Sequence, residues 1–307
     1  MNPYNYENSI QGLKFQLVKD TSKFKHYSIK LRSAIDTGYQ ENSTVMGEFY
    51  LPKAEHKVPL AILVHGMGDP SIIPCKLLTQ SLLKRGVACF MPYLTIHSKR
   101  MPAVMIANLP YLTPAQWFEC YRTSVVDIRQ VLDWAFTRTE LDREQVAVVG
   151  ISFGGFVSAI AMGIDKRIKE GIFITTGGNS NKISWLSKDN KYRRRYKRTI
   201  DQHQKIQHEY AVYLMKIAEK GFDNVTSDNQ SFLTDPLTFA SDLKGRPIQM
   251  INALFDKYIP KEAAIDLWQA CGQPPIKWIP SGHTSIWLWY PIIRNRIIAF
   301  LETCYSI

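Results

Sequence analysis

Chemistry in this chain centres on a serine held in a run of unusual composition, Val146-Ala147-Val148-Val149-Gly150-Ile151-Ser152-Phe153-Gly154-Gly155. A β-branched apolar stretch ends in Gly-x-Ser-x-Gly, and an apolar, helix-forming stretch from Phe156 to Met162 follows at once. The five-letter pattern alone carries little, because it arises by accident in roughly 5% of chains this long. Its flanks give it weight. A strand running into a helix through so sharp a turn would strain Ser152 and push its hydroxyl into the open, with glycines admitting the neighbouring backbone. A serine hydroxyl is nearly unreactive by itself. It needs a base, a group that orients the base, and donors for the oxyanion that develops when it attacks a carbonyl.

Candidates for each lie at the ends of other predicted strands. Leu60-Ala61-Ile62-Leu63-Val64 runs into His65-Gly66-Met67-Gly68-Asp69-Pro70; Ile248 to Leu254 ends at Phe255-Asp256; Pro275 to Ile279 leads into Pro280-Ser281-Gly282-His283. The chain order is therefore Ser152, Asp256, His283. Asp235 and Asp242 compete for the acid position, but neither follows a predicted strand, and Asp235-Pro236 has the composition of a turn. Asp69 reads as a turn residue or helix cap.

These four motifs together resemble the α/β-hydrolase superfamily, and within it the carboxylesterase-like serine hydrolases, from about Leu60 to the C-terminus apart from a middle insertion. The resemblance implies that Ser152 is the nucleophile, His283 the general base and Asp256 the group that orients the imidazole. It implies oxyanion donors at the backbone N–H of Phe153 and, from the loop after the first strand, Met67. It also implies that His65 shapes that loop rather than relaying protons. One departure stands out: many relatives carry glycine three residues before the acid, where this chain has Ala253.

The elements needed to position these residues are legible as alternating strands and helices. Segments 27–32 and 45–51 alternate in the manner of antiparallel strands. Residues 74–85 and 114–137 read as helices, and 86–91 and 172–176 as further strands. Trp117, Tyr121, Val125, Ile128, Leu132 and Ala135 recur at three- and four-residue steps, the stripe of a core-facing helix. The expected class is a three-layer α/β/α sandwich with a mostly parallel sheet, the α/β-hydrolase fold, carrying an inserted helical lid. Ser152 and Asp256 are 104 positions apart, whereas one helix and strand need only about 30. The surplus is placed at 179–234, as a lid. Residues 1–57 then form an N-terminal extension with antiparallel strands, and 58–178 with 235–307 the core. Within the lid Tyr192, Tyr196 and Ile200 are spaced to share one helix face, and Ile206, Tyr210, Tyr213, Leu214 and Ile217 continue the rhythm. Tyr192, Tyr196 and Tyr210 are the expected substrate-pocket residues.

Composition narrows the function further. Lys and Arg number 38 against 27 Asp and Glu, a formal net charge of +11, and the run Lys191 to Arg198 supplies six of those cations. That run reads first as a solvated helix face, with attraction to an anionic substrate or a lipid surface as the alternative. The charge is local and accompanies no recognition module, so no nucleic-acid partner is expected. No apolar run approaches the ~18 residues of a membrane span, and the N-terminus lacks the pattern of a secretory signal. Five scattered cysteines suggest buried thiols in a reducing cytoplasm, and no fingerprint for a metal or a cofactor is present. The expected activity is hydrolysis of a small-molecule carboxylic ester, anionic or acyl-bearing, with no cofactor. The alternatives are an amidase, peptidase or thioesterase with the same residues, or a binding protein that retains the fold without catalysis. The sequence leaves the oligomeric state open.

Overall fold

The computed structural model describes residues 2–7, 10–108 and 112–305, apart from the side chains at 69, 107, 108, 191 and 192. In chain order its elements are β1 (Lys14–Asp20), β2 (Phe24–Arg32), β3 (Thr44–Pro52), β4 (Val58–Val64), α1 (Ile72–Leu83), β5 (Ala88–Tyr93), α2 (Ala103–Asn108), α3 (Pro114–Ala135), β6 (Leu141–Ile151), α4 (Phe153–Ile164), β7 (Glu170–Ile174), α5 (Ser180–Leu186), α6 (Asn190–Arg195), α7 (Ile200–Lys220), α8 (Gln230–Leu233), β8 (Ile248–Ala253), α9 (Lys261–Ala270), β9 (Ile276–Ile279) and α10 (Tyr290–Tyr305). The described strands form one sheet in the order β1-β2-β3-β5-β4-β6-β7-β8-β9. The first three pair antiparallel, β3 also meets β5 antiparallel, and every later pair is parallel.

Sequence explains why the parallel part is central. Strands β4, β5, β7 and β8 are buried end to end, as strands covered by helices on both faces must be, so their apolar runs are continuous rather than alternating. On one face, side chains from α3, α4 and α9 cover Leu60, Ile62, Phe90, Val146 and Val148. On the other, α1 and α10 cover Ala61, Leu63, Cys89, Ala147 and Val149. Helix α3 starts where a capping box requires it: Thr113 accepts from the Gln116 N–H, the Gln116 side chain accepts from the Thr113 N–H, and Pro114 takes the first helical position. The helix also carries Trp134, outside the expected stripe yet fully buried, edge-on to Phe49 with ring centroids 5.0 Å apart. Truncating such a residue to alanine costs about 3–5 kcal/mol.

Two features depart from the sequence reading. The edge strand β1 has no counterpart among the segments expected, because nearly all of it is exposed and its alternation stops after Lys14-Phe15-Gln16-Leu17. The basic run is not one helix. Helix α6 ends at Arg195, and Thr199 opens α7 with a second capping box to Gln202, so no single helix spans positions 192, 196 and 200, and Ile200 is exposed. Near the C-terminus, Ile286 is buried while Leu288 and Trp289 face solvent.

Between β7 and β8 the chain is helical, spanning α5 to α8. Tyr210, Tyr213, Ile217 and Phe232 give this insertion a small core of its own. Asp235 closes it at the base. Its buried carboxylate accepts from the Asn179 N–H at 2.9 Å, the Ser180 N–H at 2.5 Å, the Ser180 hydroxyl at 2.8 Å and the Leu237 N–H at 3.0 Å. The two ends of a 55-residue excursion are thus held by one side chain.

Candidate active site

The sheet order reverses around β4: the connection from β4 leads outward to β5, and that from β6 leads the other way to β7. In open α/β sheets the loops at such a switch point diverge and leave a crevice beyond the carboxyl ends of the strands. Ser152 stands at this crevice, after β6 and immediately before α4, and the His65-Gly66-Met67 loop leaves β4 beside it. Ser152 has φ 54° and ψ −117°, a conformation that a non-glycine residue holds only under strain of about 1–3 kcal/mol. Its surroundings impose it. A Cβ on Gly154 would overlap the carbonyl oxygens of Val64 and His65, so only glycine lets the helix start lie this close to β4.

Three polar side chains from three strand ends meet there. Ser152 Oγ lies 2.8 Å from His283 Nε2, and His283 Nδ1 lies 2.6 Å from Asp256 Oδ2. The other carboxylate oxygen, Oδ1, accepts from the backbone N–H groups of Tyr258 at 2.8 Å and Ile259 at 3.0 Å. The Asp256 side chain is 3% exposed and that of His283 17%. This places the acid in the interior and leaves the imidazole within reach of a ligand. The loops that carry the pair are tied together, since the Phe255 N–H donates to the Ser281 carbonyl at 2.9 Å and the Leu254 N–H to that of Ile279 at 2.8 Å.

The first N–H groups of α4, starting with Phe153, have no preceding turn to bond to and carry the positive end of the helix dipole. Gly66 lies against this point: a Cβ there would be 3.3 Å from Ser152 Cβ. The Met67 backbone follows directly, its side chain exposed. His65 is buried and accepts from the Leu94 N–H through Nε2 at 3.0 Å, which joins the β4 loop to the end of β5.

The competing acids lie elsewhere. Asp235 is the insertion's clasp, and Asp242 pairs with Lys166 at 2.8 Å on the surface. Of the expected pocket residues, the Tyr192 side chain lies outside the described residues. Tyr196 is half-buried just past α6, with the Arg195 guanidinium 5.5 Å from its ring centroid. Tyr210 is 2% exposed, stacked on Phe232 at 4.6 Å, with its hydroxyl 3.1 Å from Thr238. Neighbours that the sequence reading did not single out include Tyr258, whose ring stands edge-on to His283 at 5.2 Å, and the exposed Phe255. Position next to the acid was the available signal for both. Trp117 and Tyr121, read as core, pack on the Phe153 ring at 6.2 and 4.6 Å. The insertion meets the acid loop at the Lys257 carbonyl, which accepts from Ser187 Oγ at 2.9 Å, the Lys188 N–H at 2.8 Å and the Asp189 N–H at 3.2 Å.

Other nucleophiles are poorly suited. All five cysteines are free; burial pushes the Cys120 thiol up to about 11 and Cys271 to about 12, and raises Cys75 and Cys89 further, so thiolate is scarce at neutral pH. Among the described residues no group of three His, Cys, Asp or Glu side chains could hold a metal ion, and no helix is long and apolar enough to cross a membrane.

The sheet order, the helices on both its faces and the serine at the β6–α4 turn define an α/β hydrolase. The chain belongs to the family described as alpha/beta hydrolase domain containing 18, whose model matches residues 35–303. Solved structures with the same fold include the acetyl xylan esterase from Paenibacillus sp. R4, at 18% identity and TM-score 0.67, covering 96% of this chain and 89% of the other. The acetyl xylan esterase from Thermoanaerobacterium sp. JW/SL YS485 is similar at 15% identity and TM-score 0.68, covering 99% and 91%. A cold-adapted esterase from an Arctic intertidal metagenomic library is similar at 13% identity and TM-score 0.60, covering 95% and 100%. No curated protein sequence matches the chain.

Proposed function

We propose that the protein is a serine hydrolase that cleaves carboxylic esters of small molecules through an acyl-enzyme on Ser152. One observation carries this reading: Ser152 Oγ, His283 Nε2, His283 Nδ1 and Asp256 Oδ2 form a continuous hydrogen-bonded line with separations of 2.8 and 2.6 Å. In this mechanism His283 Nε2 takes the Ser152 proton as Oγ attacks the ester carbonyl. Asp256 keeps the other imidazole proton on Nδ1 and stabilises the imidazolium. The Phe153 and Met67 N–H groups receive the oxyanion, each such donor being worth about 3 kcal/mol of barrier. His283 then protonates the departing alcohol, and a water repeats the cycle on the acyl group. No step calls for a cofactor. That two of the fold neighbours are acetyl xylan esterases favours an ester over an amide.

In this reading residues 58–178 and 235–307 are the catalytic core, 1–57 its N-terminal extension, and 179–234 a lid that adjoins the acid loop through Lys257. Tyr196, just past α6, is the lid residue assigned to the substrate pocket in this reading, and the basic residues around it favour an acyl or anionic substrate. The free thiols suit a reducing compartment such as the cytoplasm.

The test is hydrolysis of p-nitrophenyl esters from acetate to laurate, with matched anilides and thioesters, by the wild type and Ser152→Ala. Ester turnover abolished in the variant is expected, and the chain-length optimum sizes the pocket. Anilide or thioester turnover exceeding ester turnover would reassign the substrate class. A wild type that neither turns over any of them nor labels with a fluorophosphonate would make the fold a binding scaffold.

A further inference from the structure

The loop after β4 is pinned from outside by side-chain donors. Because His65 Nε2 accepts from the Leu94 N–H at 3.0 Å, it carries no proton, and the ring's proton sits on Nδ1. Nδ1 lies 2.7 Å from the Gly66 carbonyl oxygen and 3.2 Å from Ser71 Oγ. Ser71 Oγ stands 2.7 Å from that same oxygen and 2.5 Å from the Gly68 carbonyl, which also accepts from the Ser71 N–H at 3.0 Å. Two protons, on His65 Nδ1 and Ser71 Oγ, therefore hold the carbonyls of Gly66 and Gly68.

In a trans peptide unit the C=O and the following N–H point in opposite directions. Donors that draw the Gly66 carbonyl toward His65 and Ser71 thus turn the Met67 N–H the other way. Gly66 itself abuts the nucleophile, its missing Cβ leaving 3.3 Å to Ser152 Cβ and 3.1 Å to the Ile151 carbonyl oxygen. With glycine at 66 and at 68, where φ is +83°, the backbone has little intrinsic resistance to a peptide flip. Orientation must come from the pins.

We propose that Ser71 is a positioning residue for the oxyanion hole: its hydroxyl, acting with His65, holds the Gly66–Met67 peptide so that the Met67 N–H faces the oxyanion formed on Ser152. The proposal rests on the reading of Ser152 as an acylated nucleophile. Ser71 Oγ bonds to the loop carbonyls and His65, and its effect passes through one peptide group that matters when negative charge develops. Loss of an oxyanion donor lowers kcat by about 10²–10³. Removing one of two pins leaves the flip partly resisted by His65, so a fall of about tenfold or more in kcat is expected, with KM little changed.

The experiment compares the wild type, Ser71→Ala and Ser71→Thr in steady-state hydrolysis of p-nitrophenyl acetate. It also measures the rate of Ser152 phosphonylation by a fluorophosphonate, read by intact-protein mass, and the Tm. Expected are parallel losses in kcat and phosphonylation rate for Ser71→Ala, recovery in Ser71→Thr, which keeps the hydroxyl, and a steady KM. A wild type that turns over ester and labels, beside a Ser71→Ala that stays within about twofold of it on both rates, overturns the role of Ser71 and leaves Ser152 intact. Equal losses in both variants with a lowered Tm reduce Ser71 to a structural residue and also overturn it. A wild type that is inert and unlabelled removes the Ser152 reading, and the oxyanion role falls with it.

Discussion

Replacing Asp256 by asparagine isolates one proton in the proposed mechanism. The two side chains have the same shape, so the outcome depends on which end of the amide faces His283. If the amide oxygen stays at the Oδ1 position, it keeps the bonds from the Tyr258 and Ile259 N–H groups at 2.8 and 3.0 Å. The NH2 then faces His283 Nδ1 at the present 2.6 Å separation. Nδ1 must become an acceptor, the imidazole proton moves to Nε2, and Nε2 can no longer take the Ser152 proton. If the amide flips, the tautomer is right but the NH2 confronts two backbone donors. A donor screened from water and left unpaired costs about 1–3 kcal/mol; the Ile259 site is part-buried and the Tyr258 site exposed, so with the donor–donor contacts the flipped form lies about 2–4 kcal/mol above the first. The productive tautomer then falls to a few per cent or less, and kcat for ester hydrolysis should drop by about 30-fold to 10³, approaching the loss of about 10⁴ known for this substitution in a Ser-His-Asp site. The 10³ limit is about 4 kcal/mol of barrier. Tm should move little, since the unflipped form retains both backbone bonds. Steady-state hydrolysis of p-nitrophenyl acetate and a calorimetric scan measure the two quantities. An Asp256→Asn enzyme that keeps more than a tenth of wild-type kcat refutes the tautomer argument. One that loses activity only in step with Tm assigns Asp256 to stability instead.

Further consequences can be checked separately. Gly154→Ala drives a Cβ into the Val64 and His65 carbonyl oxygens, which are backbone and cannot step aside; a loss of about 3 kcal/mol is expected, and a urea midpoint equal to wild type would contradict the close approach. Asp235→Ala strands donors of Asn179, Ser180 and Leu237 in a buried site, at about 1–3 kcal/mol each. Trypsin should then cut the 191–198 run faster, and an unchanged cleavage rate would remove the clasp role. Burial pushes Glu170 up to about 7 from an ordinary 4.5, so above the ordinary value the folded state binds more protons than the unfolded one. Stability therefore declines as pH rises from about 4.5 to 7 and levels off beyond. Glu170→Gln, which still offers an acceptor to the Tyr305 hydroxyl at 2.7 Å, should flatten that part of the profile; identical slopes in both proteins would show that another group is responsible.

What the sequence disclosed follows the range of the interactions involved. Strands β4, β6 and β8 are legible because burial on both faces requires apolar side chains at successive positions, and the loops after them are short. Ser152, Asp256 and His283 could therefore be read as strand-end residues, and the structure brings the three together. Strand β1 left no sustained trace because an exposed edge imposes little pattern on its side chains. The break between α6 and α7 did leave one: Thr199 and Gln202 have capping-box spacing, but the regular four-residue step from Tyr192 through Tyr196 to Ile200 outweighed it. Asp235 looked like a turn acid beside Pro236, whereas its carboxylate bonds to Asn179 and Ser180, some 55 positions earlier, a relation with no local signature. Ser71 is the sharpest case. Nothing in Asp69-Pro70-Ser71 distinguishes its hydroxyl from that of any helix-start serine, and its meaning depends on a carbonyl five residues back and an imidazole whose tautomer is fixed from β5. Motifs of this fold identify the groups that exchange protons and bonds. The groups that aim them are set by which backbone atoms need a partner once the chain has folded, and they are found by following each pinned carbonyl to the N–H on the other side of its peptide.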